Sequence, residues 1–426
     1  MDLSATRSTA ARATTGTPGA GRAWLITFLL LAFMLINFAD KAVLGLAAKP
    51  IMHDLHLSPS QYGLLSSGFY FLFSVSAVVV GFVSNRVATK WVLLVMAVVW
   101  ALSQVPVLGG AGFGVLLACR VVLGAAEGPA NPMAMHAAAK WFPNEKRSLP
   151  SAILNMGSAI GVTLGAPLLT AVIVHYGWRW AFFSLFAVGM VWVVVWAVLG
   201  REGTVVDTAA PTPADEPAVP YRRILLSGTW LGGFAAGFAA YWTLALLTAW
   251  VPPYLENGLG YSVSTTGTLV ILPWAALAVF NLAQGAVTEW LMRRGVPSRL
   301  ARGVLGGVAV GVAGLAMLLF PLAGGAVRLA LLTLAFSLGG IVFAIVLTVN
   351  AEISPVRRRG AVLSISIGLI TTAGLLAPYV TGRIVEAVGY TPAWVVAGVL
   401  SVVGGLLAVL FVRPERDARR LGLRAG

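Results

Sequence analysis

The sequence is poor in the residues from which most enzyme and metal sites are built: one cysteine, four histidines and 15 acids among 426 residues. Cys119 has no second cysteine to pair with, so no intrachain disulfide frames the fold. His53 and His56 flank Asp54, but three donors on one short loop diverge too much to enclose a metal. His136 and His175 stand without a nucleophile or carboxylate at a readable spacing. The glycine-rich run from Gly109 to Gly114 follows no strand, which makes it a turn rather than a phosphate cradle. No catalytic residue, cofactor or metal is therefore expected. Charge is scarce as well. Only 10% of residues are charged and 58% are hydrophobic, against ~25% and ~45 to 50% in soluble domains. An ordinary soluble protein is excluded.

What the chain has instead is long apolar runs. A spanning helix needs about 20 mostly apolar residues. Such runs lie near 24–46, 61–84, 91–108, 114–137, 151–174, 179–199, 224–250, 263–288, 303–321, 327–349, 361–384 and 391–412. They describe an all-α polytopic membrane protein of twelve transmembrane helices. A disordered polar tail covers 1–23, six helices occupy 24–199, a proline-rich linker covers 200–223, six more helices occupy 224–412 and a tail covers 413–426. The first run is too long for a signal-peptide core and is expected to stay as an uncleaved helix.

The net charge of +14 would suggest a polyanionic partner for a soluble chain. Here 23 of the 29 Lys and Arg residues fall in the tails, the linker and the loops on their side. Four fall on the opposite side, and Lys41 and Arg120 lie inside spans. This is the positive-inside pattern, so both termini are expected in the cytoplasm and no nucleic acid is needed to explain the charge. The expected partners are the lipid bilayer, protons and a small organic anion, with the chain a monomer. Arg outnumbers Lys by 24 to 5, a bias of GC-rich bacteria that suggests a bacterial cytoplasmic membrane.

The two halves repeat each other. At an offset of 204, Leu55, Ser58, Ser60, Gly63, Leu65 and Gly81 match Leu259, Ser262, Ser264, Gly267, Leu269 and Gly285. At an offset of 212, Pro143, Arg147 and Gly177 match Pro355, Arg359 and Gly389. Parallel repeats of six spans are a transporter pattern. After the second span, Gly81-x-x-x-Asn85-Arg86-x-Ala88-Thr89-Lys90 resembles the loop motif of the major facilitator superfamily, with Asn85 where that family has Asp. The resemblance implies two pseudo-symmetric six-helix bundles and a cytoplasmic latch between them, weakened here by the missing carboxylate. The sister loop keeps Gly285, Glu289, Arg293 and Arg294.

Asp40, Lys41, Arg120 and Glu127 are the charges well inside apolar runs. A charge at the bilayer centre costs ~2.5 to 3.5 kcal/mol on insertion scales, so four in two helices should line a watery cavity or pair with one another. The arrangement suits coupled transport of an anion, with the cations binding a carboxylate and Asp40 and Glu127 carrying protons. Asn37-Phe38-Ala39-Asp40-Lys41, Arg120-x6-Glu127-Gly128-Pro129, Trp141-Phe142-Pro143 and Trp250-Val251-Pro252-Pro253-Tyr254-Leu255 resemble the anion:cation symporter branch of that superfamily.

The resemblance implies proton-coupled uptake of an organic anion. It implies that Asp40 and Glu127 take protons and that Arg120 and Lys41 hold the carboxylate. Sugar-acid members of the branch usually have Tyr at positions 38 and 73, Arg at 41 and Asn near 371, where this chain has Phe38, Phe73, Lys41 and Thr371. A less polar aromatic or short-chain acid is therefore expected over a hexonate. Tyr70, Asn155, Tyr241, Thr371 and Thr372 are candidate substrate contacts, with Asn281 and Gln284 as further cavity groups. The alternatives are a proton-coupled efflux antiporter of a drug or metabolite, and a transport-like sensor.

Overall fold

The computed structural model describes residues 20–84, 86–110, 112–143, 146–205 and 219–423. Asn85 of the loop motif and most of the 200–223 linker lie outside the described residues, as does nearly all of the 1–23 tail. Within them every regular element is helical, and twelve helices are long and apolar enough to cross a membrane. In chain order they are α1 (Gly21–Leu46), α2 (Pro59–Val83), α3 (Thr89–Gly109), α4 (Phe113–Ala139), α5 (Leu149–Tyr176) and α6 (Trp178–Leu199). The second set is α7 (Gly228–Ala249), α8 (Val263–Arg293), α9 (Arg299–Leu322), α10 (Gly325–Glu352), α11 (Val356–Val388) and α12 (Tyr390–Phe411).

Local chemistry sets the ends. Ser58 caps α2 by accepting from the Gln61 backbone N–H, Gln61 returns the bond to Ser58, and Pro59 fills the first helical position. Ser262 caps α8 in the same way, accepting from Thr265 at 3.1 Å. Gly177 and Gly389 join α5 to α6 and α11 to α12 with φ of 92° and 88°, a backbone region that disfavours any side chain. The repeat read in the sequence is thus a repeat of caps and joints. Several boundaries differ: α8 runs on to Arg293 rather than 288, α11 starts at Val356 rather than 361, and the seventh span starts at Gly228 rather than 224, because Ser227 caps it and a separate short helix, Tyr221–Leu225, precedes it.

Acids that follow the last helix of each half tie the half together. Glu202, after α6, accepts from the Lys90 backbone N–H at 3.0 Å and the Thr89 hydroxyl at the start of α3, and from Lys140 at the end of α4. Burial opposes its ionisation, but the Lys140, Lys90 and Thr89 donors hold the carboxyl below its ordinary value. Glu415, after α12, accepts from the Arg299 N–H at 3.1 Å at the start of α9. The Thr89–Lys90 end of the family loop motif is therefore bonded within its own half.

Small residues let the helices close up. Gly157, Gly161 and Gly165 of α5 face Met34, Leu35 and Ala39 of α1, and Gly307 and Gly314 of α9 face Gly405 and Gly398 of α12. On α4, Gly124 lies against the Phe69 carbonyl of α2 and Gly128 against that of Phe73.

The halves meet on one side only. Away from the termini, Gly63 and Gly382 allow α2 and α11 to cross backbone to backbone, Gly45 of α1 lies on the Thr248 carbonyl of α7, and Gly267 of α8 lies on Thr170 of α5. Toward the termini the last tight contact between α2 and α11 is the Ser74–Thr371 hydroxyl pair. One to three turns further on, the same faces carry Val78, Gly81 and Phe82 on α2 and Ile367, Gly368 and Gly360 on α11. The three apolar side chains there are exposed and the glycines have nothing within 4 Å. A cleft is thus sealed at the far face and open at the face that carries the termini.

Gly124→Val should lower stability by about 1–3 kcal/mol, because the new side chain meets backbone rather than a movable side chain. A detergent melting curve shifted down by several degrees is expected. An unchanged curve would mean that α2 and α4 are free to separate.

Candidate functional site

The seal sits above a cluster of buried charge. α1 supplies Asn37, Phe38, Asp40 and Lys41, α2 supplies Ser66, Phe69, Tyr70 and Phe73, α4 supplies Arg120 and Glu127, and α7 supplies Tyr241 and Thr248. The Lys41 ammonium lies 3.8 Å from Glu127 Oε2 and donates to Asn37 Oδ1 at 2.8 Å. It is ringed by phenyl groups, with the centroids of Phe38, Phe73 and Phe69 at 4.5, 5.4 and 5.9 Å. That geometry supplies cation–π attraction in place of water. Arg120 is buried over the face of Phe69, with its guanidinium carbon 5.0 Å from the centroid. Among the described residues its Nε and Nη1 have no hydrogen-bond partner, and neither do the two Glu127 oxygens.

The four charges lie within electrostatic reach of one another, but Asp40 makes its hydrogen bonds elsewhere. Asp40 is fully buried, and its carboxylate accepts from Trp100 Nε1 and, at 2.6 Å, from Gln104 Nε2, both on α3. One residue apart on a helix means about 100° of rotation, so Asp40 turns into the first bundle while Lys41 turns toward the seam between bundles. Lys41, Arg120 and Tyr70 share a void of about 10 Å³ with Leu44, Gly45, Ser66, Phe69, Thr248 and Ala249. That is room for about one water-sized sphere.

Of the other candidates, Tyr70 meets Tyr241 edge to face at 5.9 Å across the two halves, and Tyr241 meets Phe343 in the same manner. Thr371 is buried at the Ser74 contact. Thr372 donates to the Leu369 carbonyl of its own helix at 2.6 Å, and Asn155 is exposed near the terminal end of α5, so neither joins the void. Asn281 donates to the Leu277 carbonyl and Gln284 to Thr288, both local bonds. Sequence reasoning passed over Asn37, Ser66 and Thr248. Asn37 had a signal, since it stands four residues before Lys41 and therefore on its face.

Beyond the void, toward the sealed face, prolines interrupt the helices of the second half. Pro253 has no N–H for the Ala249 carbonyl one turn below it, and the Tyr62 hydroxyl of the other half fills the place at 2.8 Å. Near Pro378 the Tyr379 N–H leaves the helix pattern and donates to Ser67 Oγ of α2 at 3.1 Å, while the Pro378 carbonyl accepts from Trp250 Nε1 at 2.9 Å. At the rim, Glu386 of α11 accepts from Ser58 Oγ at 3.1 Å and from the Ser60 N–H at 3.0 Å. Helix α2 thus reads backbone groups that kinks in α7 and α11 release.

The sequence pattern of the Major Facilitator Superfamily matches residues 29–349. A hexuronate transporter of Bacillus subtilis (strain 168) is 30% identical over 92% of this chain and 94% of its own length. A probable sulfoacetate transporter of Cupriavidus necator is 26% identical with the same two shares. Among solved structures, a bacterial homolog of the human lysosomal transporter Spinster, in an inward-facing and unoccupied conformation, has a TM-score of 0.79 at 19% identity. That match covers 94% of this chain and 99% of the other. At that identity the likeness is one of fold.

Tyr62→Phe removes one seam bond worth ~1 kcal/mol and should part the seam about fivefold more often. The measurement is modification of a cysteine placed at Ser66 in a Cys119→Ser background, by a thiol reagent supplied only at the far face. Equal rates with and without the hydroxyl would remove Tyr62 from the seal.

Proposed function

Because the chain belongs to the Major Facilitator Superfamily, we propose that it is a secondary transporter that takes up an organic anion together with protons by alternating access. The terminal face is cytoplasmic in this proposal, supported by its share of the basic residues, and the sealed face is the outer one. The cleft is then open inward. The names of the two relatives above, for hexuronate and sulfoacetate, support an anionic cargo.

The observation that carries this function is the unfilled donor set of buried Arg120 beside the Lys41–Glu127 pair. Lys41 and Arg120 balance Asp40 and Glu127, so the empty site is neutral. A carboxylate that binds the two cations adds one negative charge in a medium of low dielectric, and a proton on one acid restores neutrality. Glu127 is the first carrier: it accepts no hydrogen bond, and a carboxylate that draws Lys41 away leaves it unpaired. Asp40 keeps the Trp100 and Gln104 donors and is the second proton site. When the cargo leaves toward the cytoplasm, Lys41 returns to Glu127 and the proton departs.

The body of the cargo faces Phe38, Phe69, Phe73, Tyr70 and Tyr241. These walls offer flat apolar surface and few hydroxyls, which supports an aromatic or short-chain acid over a hydroxyl-rich sugar acid. In the occupied state the site opens beyond the present void, with Tyr241 and Thr371 the contacts from the second half.

In proteoliposomes, an acid added outside should drive protons inward, with an aromatic or short-chain acid giving the larger response. Equal responses to hexonates would end the preference, and an outward proton response to inside cargo would favour efflux. Glu127→Gln should abolish uptake driven by a pH gradient while leaving exchange of cargo for cargo. Arg120→Lys loses the planar fork and should raise the half-saturating concentration by roughly tenfold or more. Unchanged saturation would place the carboxylate elsewhere.

A further inference from the structure

Three acids lie in the outer loops and helix rims: Asp54, Glu256 and Glu386. The structure treats them differently. Asp54 accepts from Trp178 Nε1 at 2.9 Å and from Arg179 at 3.2 Å, and the Trp178 bond leads in holding it below the usual carboxylate range. Glu386 has its two donors from α2. Glu256 is 4% exposed, and neither of its oxygens has a hydrogen-bond partner among the described residues.

Its position follows from the prolines. Pro252 and Pro253 end the regular course of α7, and the chain winds through a wide turn at Tyr254–Gly258 that buries the Glu256 side chain within electrostatic reach of Lys49 and Tyr62 of the first half. The titratable groups around it come from both halves: Lys49 on the short helix Ala48–Asp54 and Tyr62 on α2 from the first, Tyr390 on α12 from the second. Both tyrosines are neutral hydroxyls over the relevant pH range. Lys49 is solvent-exposed and offsets only part of the effect of burial, which pushes the Glu256 carboxyl up to about 7. An unpaired buried carboxylate is costly, and the group keeps its proton instead.

We propose that Glu256 is an outer-side proton site built into the seam: it takes a proton from the outer solution as the seam closes over it and returns it there when the seam parts. Acid outside then favours the inward-open form. The proposal rests on the orientation of the two faces given above but not on the cargo. The sign follows from linkage. With the seam parted, water reaches the carboxyl and it titrates near its ordinary value of 4.5; with the seam closed, it titrates near 7. Closure is therefore favoured in full below the lower value and is progressively lost as pH rises through the upper one, by up to tenfold per pH unit between them. Because this proton returns to the side it came from, it adds nothing to the transport stoichiometry. It sets instead how long the protein waits outward.

The test reads seam opening directly and needs no cargo. In a Cys119→Ser background, the rate of modification of Ser66→Cys by a membrane-impermeant reagent from outside is measured from pH 5 to pH 8. It is divided by the rate of Gly112→Cys, an open outer-loop position, to remove the reagent's own pH dependence. The normalised rate should rise about tenfold or more across the range. Glu256→Gln, neutral at every pH, should hold it flat at the low value. Lys49→Met, which leaves the acid in place without its cation, should move the midpoint to higher pH. A flat profile in the parent, a full pH response retained by Glu256→Gln, or a midpoint unmoved by Lys49→Met would each overturn the proposal. Failure of anion uptake with this response intact would count against the proposed transport alone.

Discussion

Inside a bilayer no water is at hand for a backbone group that loses its helical partner, and much of this fold follows from that constraint. Pro252, Pro253 and Pro378 break the hydrogen-bond ladders of α7 and α11 at the depth where the two bundles meet. Left alone, each break would be a cost to the helix that carries it. The Ala249 carbonyl and the Tyr379 N–H are instead matched by Tyr62 and Ser67, both on α2. The kinks of one half thereby become the docking points of the other. A seam held by such bonds is discrete, either made or broken, which suits a protein whose halves rock between two positions.

The same scarcity of water shapes the site below the seam. Lys41 is surrounded by phenyl rings rather than solvent, so its charge is met by ring faces, Asn37 and Glu127. Any anion that enters must disturb one of these few partners. Asp40 illustrates the contrast: its side chain is bonded to Trp100 and Gln104 within one bundle.

Much of this was legible in the chain because the relevant chemistry is local. Gly177 and Gly389 mark joints that need positive φ, Ser58 and Ser262 mark helix starts, and charge is so rare in the apolar runs that Lys41, Arg120 and Glu127 stand out unaided. What stayed hidden depends on helix rotation and on partners far away in sequence. Nothing around Asp40 announces that α3 will present Trp100 and Gln104 to it, and Thr372 looks as plausible as Thr371 until the face of α11 is known. Asn85 drew attention for the carboxylate it lacks, while Glu202, which holds the same loop region to its own bundle, sits more than a hundred residues away. The di-proline of α7 was visible; that it frees a carbonyl for Tyr62 was not, since the vacancy matters only once α2 is in place.

The void beside Lys41 and Arg120 is about 10 Å³, lined toward the sealed face by Leu44, Gly45 and Ala249. Protons cross hydrocarbon along strings of water, and a space for one molecule is not a string. The closed seam, bonded from Ser74–Thr371 to Ser58–Glu386, is accordingly an electrical insulator as well as a barrier to solute.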